Sequence, residues 1–224
     1  MRKIDRVMRE ILHQYHEKGR RFFNQKELAG SCGLSLGTVN PLVGKFELMG
    51  MVERRPLGFR LVDPRRMLLY WAATREISGD VVYTTFSAEA ISRMEERLSS
   101  LGLLTAHSGY RRLFGSCPVD YSRVFVYAPP EEVRRIYGPR RKRPNLFVLT
   151  PDEHLLKLGR EGTVPPVQLY VDLWQLGSLA GRLLEDLERR LGEAPARAVE
   201  EVARKRGAPS PEGAGNAWSS SSPS

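Results

Sequence analysis

The chain has 224 residues, 41% hydrophobic and 27% charged, enough for a sizeable core and too long to depend on disulfide or metal staples. No stretch approaches the roughly eighteen unbroken apolar residues of a membrane span, and two cysteines, Cys32 and Cys117, without further Cys or His at ligand spacing, exclude a disulfide framework and a zinc site. Lys+Arg 35 against Asp+Glu 26 leaves a net charge of +9, which puts nucleic acid first among partner classes.

The start, Met1-Arg2-Lys3, is charged and has no apolar signal core behind it, so a cytoplasmic protein is expected. Ile4, Val7, Met8, Ile11, Leu12 and Tyr15 fall at three- and four-residue steps, predicting an amphipathic helix over 2–17 that Gly19 ends. Asn24, with Glu27 three residues on, forms a capping-box pattern for a second helix reaching about Cys32, and Gly33 breaks it. Ser35 caps a third helix that turns Val39, Leu42, Val43 and Phe46 inward and closes at Gly50. Extended runs at 51–54 and 59–62, with Arg55-Pro56-Leu57-Gly58 between them, predict a β-hairpin. Three helices and a hairpin, in that order, predict a winged helix-turn-helix domain over 1–63.

Asp63-Pro64 pairs a cap with a first-turn proline, so a linking helix over 67–75 carries Leu68, Leu69, Tyr70 and Trp71. The second region then reads strand 81–86, helix 87–101, a turn-rich stretch, strand 124–127, a basic loop, strand 146–149 and helix 169–191. That pattern predicts a mixed α/β (α+β) domain with a small sheet over 64–206. The Gly-, Pro- and Ser-rich tail at 207–224 is expected to be disordered.

On the third helix, the inward residues leave Gly37, Asn40, Pro41 and Gly44 on the opposite face, flanked by Thr38 and Lys45. That face suits a major groove: the Asn40 amide matches an adenine edge, while Ser35 and Thr38 suit phosphates. Pro41 leaves the Gly37 carbonyl without its helical partner. Arg54, Arg55 and Arg60 around the hairpin turn would neutralise phosphates, as would Arg20 and Arg21. A second basic run, Arg140, Arg141, Lys142 and Arg143, preceded by Arg134 and Arg135, is an auxiliary nucleic-acid patch or simply a solvated loop. Leu48 lies on the outer face and is expected to pack on the second domain or a partner subunit.

Motifs for catalysis are missing: no phosphate loop, no nucleophile elbow and no His-Glu-x-x-His. No catalytic residue, metal site or cofactor is assigned. His13 and His16 read as an ordinary exposed pair, His107 and His154 as isolated. Asp172, inside the apolar run Gln168-Leu169-Tyr170-Val171-Asp172-Leu173-Trp174, reads as a hydrogen-bond acceptor at a helix N-terminus or the partner of an arginine, in preference to a catalytic acid.

The stretch 144–149, followed by 165–174 and a helix carrying Leu183, Leu184 and Leu187, resembles the C-terminal region of AbiEi-type transcriptional regulators, antitoxins of type IV toxin-antitoxin systems. The resemblance extends in order over most of residues 2–191. It implies a repressor that binds its own operator in double-stranded DNA, and an antitoxin that opposes a nucleotidyltransferase-like toxin without forming a stable complex. The Arg-rich loop before Asn145 and the serine-rich tail depart from that family pattern. Binding as a homodimer on an inverted repeat is expected, because one winged helix reads few base pairs. The rival expectation is a nucleic-acid-processing enzyme or RNA-binding factor whose winged helix positions substrate.

Overall fold

Asp5 accepts hydrogen bonds from the Arg2 backbone at 3.1 Å and its side chain at 2.9 Å, and so opens helix α1 (Lys3–Lys18). Gly19, at φ 64°, closes that helix in the left-handed region glycine favours. The computed structural model describes residues 2–205; the tail expected to be disordered lies outside them. Strand β1 (Phe22–Phe23), helix α2 (Gln25–Cys32) and helix α3 (Leu36–Leu48) follow, then strands β2 (Val52–Arg55) and β3 (Gly58–Leu61). The Asn24 side chain caps α2 through the amides of Lys26 and Glu27 at 2.8 and 3.2 Å. The reciprocal half of the expected box is absent, because Glu27 instead pairs with Arg20 at 2.7 Å.

Strand β1, which has no counterpart in the sequence reading, joins the hairpin to make an antiparallel sheet of order β1-β3-β2. Gly58 permits it. A Cβ there would fall 2.2 Å from the Phe23 carbonyl oxygen, so no larger residue fits between β3 and β1 as they stand. Leu57, at the tip, carries the positive φ of 69° that the sequence reading left to the turn as a whole.

Helix α4 (Pro64–Thr74) starts as expected, with Asp63 accepting from the Arg66 amide at 2.8 Å. Then come β4 (Val81–Thr85), α5 (Ile91–Ser99), β5 (Leu103–Thr105), α6 (Ala106–Phe114), β6 (Val124–Tyr127), α7 (Pro130–Tyr137), β7 (Leu146–Leu149), α8 (Glu153–Leu158), α9 (Pro166–Trp174) and α10 (Gly181–Lys205). The sheet order is β4-β7-β6-β5, with β6 and β7 parallel and the other pairs antiparallel. The chain is therefore of the mixed α/β class, with one small antiparallel sheet, one small mixed sheet and many helices.

Four expectations for this region are corrected. The helix at 87–101 starts only at Ile91, because Asn145 holds both the Ser87 amide (2.9 Å) and carbonyl (2.8 Å) in a loop. The turn-rich stretch contains β5 and α6. The basic loop contains α7, on which Arg134 and Arg135 sit. The helix at 169–191 is two helices, broken where Gly177 takes φ 77°.

Two cores result. One lies between one face of the four-stranded sheet and helices α5 and α7, built on Tyr83, Met94, Leu98, Val126 and Val133. The larger runs continuously from α1, α3 and α4 to α9 and α10. Helix α1 packs on α2 and α4 on one side and on α9 and α10 on the other. Its residues 7–16 are buried without interruption. His13 and His16 are therefore not an exposed pair: they are 7% and 8% exposed, enclosed by the second region's helices.

Candidate nucleic-acid interface

Helix α3 buries Val39, Val43 and Phe46, with Leu42 partly buried, so Gly37, Asn40 and Pro41 face solvent as its helical geometry requires. Ser35 is exposed, but its hydroxyl is committed: it accepts from the Thr38 amide at 3.2 Å and lies 3.0 Å from the Thr38 hydroxyl. Lys45 is exposed and leans away toward α4, its ammonium 5.5 Å from the centre of the Tyr70 ring. Leu48 is 91% exposed and packs on neither region of its own chain, which corrects the intramolecular half of the sequence reading.

The hairpin arginines do not form one cluster. Register pairs Arg54 with Phe59, and Glu53 with Arg60, so alternation sends Arg54 to the α3 side and Arg55 and Arg60 to the other. The Arg54 guanidinium lies over Gly44, where a Cβ would be 3.2 Å away, donates to the Asn40 carbonyl at 3.3 Å and pairs with Glu47 at 3.1 Å. Arg55 pairs with Glu53 at 2.8 Å. Arg60 is exposed and has no ion pair among the described residues. Both ion pairs are solvent-screened and hold their arginines weakly, so a phosphate can compete for them.

A groove of about 600 Å³ separates the hairpin tip from the starts of α2 and α3, lined by Gln25, Lys26, Leu36, Gly37, Asn40 and Leu57. Asn24 ties it together, its amide donating to the Leu57 carbonyl at 3.0 Å. Sequence reasoning missed Gln25, Lys26 and Leu57. The Asn24 cap was the available signal, since the two residues after a cap stand at an exposed helix start.

The auxiliary patch stands apart from α3. Arg140, Arg141, Lys142 and Arg143 are exposed in the loop before β7, and Arg140 donates to the Val82 carbonyl of β4, tying the loop to the four-stranded sheet. Arg134 pairs with Glu131 at 3.3 Å and lies 5.5 Å from the Tyr83 ring centre.

Asp172 is fully buried and accepts hydrogen bonds from Thr105 (2.8 Å), Tyr127 (2.9 Å) and Gln168 (2.8 Å), with Arg75 3.9 Å away. The arginine partner applies, but the acceptor role is corrected: Asp172 stands in the last turn of α9, not at a helix N-terminus, and its donors are side chains. Burial raises its carboxyl above the usual range, although Arg75 and the three donors oppose the shift. His154 is not isolated: its Nε2 lies 2.7 Å from Glu10 in α1. Burial would raise the Glu10 carboxyl, but hydrogen bonds from His154 and Gln14 hold it below its ordinary value. Burial drives His16 down to about 4, with its Nδ1–H donated to the Leu191 carbonyl at 2.7 Å. These groups brace the scaffold. Among the described residues no three His, Cys, Asp or Glu side chains are placed to hold a metal ion, and no helix is long and apolar enough to cross a membrane. Comparison of this chain with protein-family models, curated proteins and solved structures finds no match.

Proposed function

We propose that the chain is a sequence-specific binder of double-stranded DNA that regulates transcription, with residues 1–63 acting as a winged helix-turn-helix. The observation that carries this reading is the contact of Arg54 with the backbone of Asn40, which sets the hairpin beside the open face of α3. In it, α3 enters the major groove, Asn40 reads a base edge, and Arg55 and Arg60 hold phosphates from the hairpin. Gly37 and Pro41 keep that face low, so the backbone can come close to the bases, while Gly44 makes room for the Arg54 guanidinium. The net charge of +9 supplies the sequence-independent part of the affinity.

The resemblance to AbiEi-type regulators extends the proposal: the duplex is the chain's own operator, bound as a homodimer, and the chain acts as antitoxin to a nucleotidyltransferase-like toxin. The exposed Leu48 at the end of α3 supports the dimer as an apolar contact left open by the monomer. A cytoplasmic location belongs to the same proposal.

The test is binding to the duplex upstream of the chain's own gene against a scrambled duplex, at two salt concentrations. The control is a triple Asn40→Ala/Arg55→Ala/Arg60→Ala variant, which spares the structural Arg54. Preference for the native duplex that survives higher salt and vanishes in the variant is the expected result. Equal, salt-labile binding to both duplexes would overturn the reading.

A further inference from the structure

Helices α6 and α9 cover β5 and β6 on one face of the four-stranded sheet, while Phe147 on the neighbouring β7 stays partly exposed. Two clefts open there. The first, of about 460 Å³, is lined by His107, Tyr121, Arg123, Phe125 and Leu176, with Asp120 at its rim. The second, of about 480 Å³, is lined by Phe86, Arg123, Arg143 and Phe147. Ser122 and Arg123 line both, so the clefts adjoin. Each is within the size range of small-ligand sites.

The lining combines three features. The first is aromatic surface: Phe125 and Phe147 stack with ring centres 4.6 Å apart and planes 13° from parallel, and Phe86 is 43% exposed beside them. The second is positive charge. Arg123 and Arg143 are exposed and have no ion pair among the described residues, and the Arg123 guanidinium sits 6.0 Å from the Phe147 ring centre. Asp120 is the opposing carboxylate, and it borders only the first cleft.

The third feature is His107. Its side chain is more than nine-tenths buried yet lines the first cleft, and neither ring nitrogen has a hydrogen-bond partner among the described residues. The ring nitrogens are not sealed from solvent, so they are open to a ligand in the cleft. Its position is built in. The preceding Ala106, fully buried, is held at φ 57°, a strained conformation for a residue with a side chain. The ring stacks on Tyr121 at 5.3 Å, and the Tyr121 hydroxyl is fixed by Glu95 at 2.5 Å.

We propose that the two adjoining clefts bind a nucleotide. The base spans them, stacked on Phe147 with His107 hydrogen-bonded to its edge, and the phosphate sits on Arg123 and Arg143. A purely apolar ligand would use neither His107 nor the two arginines, and a bare phosphate would leave the aromatic surface wet. The same chemistry is offered by a free nucleotide and by one nucleotide of a single strand. This site is separate from α3 and the hairpin, and its test contains no duplex, so its outcome is independent of the proposed DNA binding.

The experiment is calorimetric titration of the full chain with 5′-AMP, 5′-UMP and a mixed-sequence hexaribonucleotide, with adenosine and uridine as controls without phosphate. Arg123→Gln and Phe147→Leu are the variants; Arg123 is exposed, so its change leaves thermal unfolding in place as the check on folding. We expect at least one phosphate-bearing probe to saturate the wild type. Loss of the phosphate, or Arg123→Gln, should weaken binding about tenfold, and Phe147→Leu about fivefold. Saturation by a monophosphate identifies a free nucleotide, and saturation by the hexamer alone identifies a single strand. If no probe saturates at millimolar concentration, or if both variants bind as the wild type does, the proposal is overturned.

Discussion

Arg9 and Asp152, 143 residues apart in sequence, meet in a two-pronged buried ion pair, Nη1 to Oδ1 at 3.1 Å and Nη2 to Oδ2 at 2.7 Å. Arg9 comes from the middle of α1 and Asp152 caps α8, where it also accepts from the Leu155 amide at 2.8 Å. The pair therefore fixes the N-terminal helices to the region that carries the four-stranded sheet. Arg6 approaches the same carboxylate at 3.9 Å. Because the Arg9 side chain is fully buried, its charge has no recourse to water if the carboxylate is removed.

Asp152→Ala should thus cost about 3 kcal/mol or more, combining an abandoned buried charge with a lost helix cap. Adding Arg9→Met should recover part of that loss. Denaturant unfolding of both variants measures it, and a double variant as unstable as the sum of the single ones would contradict this account.

At Asp172 the three donors differ in what they leave behind. Tyr127→Phe deletes the hydrogen bond to Asp172 and those from Arg75 (3.2 Å) and Gln168 (3.4 Å) while keeping the ring, and should cost about 1–3 kcal/mol. Asp172→Ala leaves the buried Arg75 with Asp80 as its remaining carboxylate and should cost more than Tyr127→Phe in the same thermal unfolding series.

The histidines give a pH dependence with a defined sign. Unfolded, the His16 ring takes a proton near 6.5; folded, only near 4. Between those values the unfolded state binds more protons, so stability rises with pH and is lost as pH falls from 6.5 toward 4. The loss is on the order of 3 kcal/mol at most for His16. Burial depresses His13 and His107 in the same direction. His16→Gln should flatten the dependence of the melting temperature in this window, and an unchanged slope would count against a neutral buried ring. Below it the carboxylates held low, Glu10, Asp152 and Asp186, add a further acid-dependent loss.

Gly58→Ala should cost about 2 kcal/mol or more by forcing β1 away from β3. Amide hydrogen exchange would report it as lost protection at residues 22–23 and 59–60, and retained protection there would contradict the close approach as its cause.

Across the hairpin the salt response should be uneven. Arg60→Ala should lower the salt slope of duplex binding by about one, since among the described residues no carboxylate holds this arginine. Arg54→Ala should also shift the hairpin against α3, so it should reduce preference for the native duplex together with affinity. Equal effects of the two changes would mean that Arg54 acts as a phosphate contact alone.

What could be read beforehand follows from how local each signal is. Helices α1 to α4 were legible because caps and apolar spacing lie within a few residues of one another. Strands β6 and β7 were legible because Val124 to Tyr127 and Leu146 to Leu149 are short apolar runs between turn-forming neighbours. Strand β1 is two residues long, too short for any period, and exists because Gly58 admits it. The change from β5 to α6 occurs at Thr105-Ala106 with neither Gly nor Pro to mark it, and Ala106 takes the positive φ itself. In the candidate interface, the open face of α3 follows from helical geometry, but the separation of Arg54 from Arg55 and Arg60 depends on strand register. The partners of Glu10, Arg9 and His16 lie between 143 and 175 residues away, beyond the reach of any local pattern.

Helix α1 has no dispensable side between residues 7 and 16. It packs on α2, α3 and α4 as well as on α9 and α10. A surface helix can drift in sequence along its wet flank, but this one answers to two sets of neighbours at once. Grafting residues 1–63 onto another protein would take away the distant partners of Arg9, Glu10 and His16 and lay open to solvent the surface of α1 that α4, α9 and α10 cover. A portable form of the module needs its α1 rewritten with polar residues at those positions, whereas its α3 can be carried over as it stands.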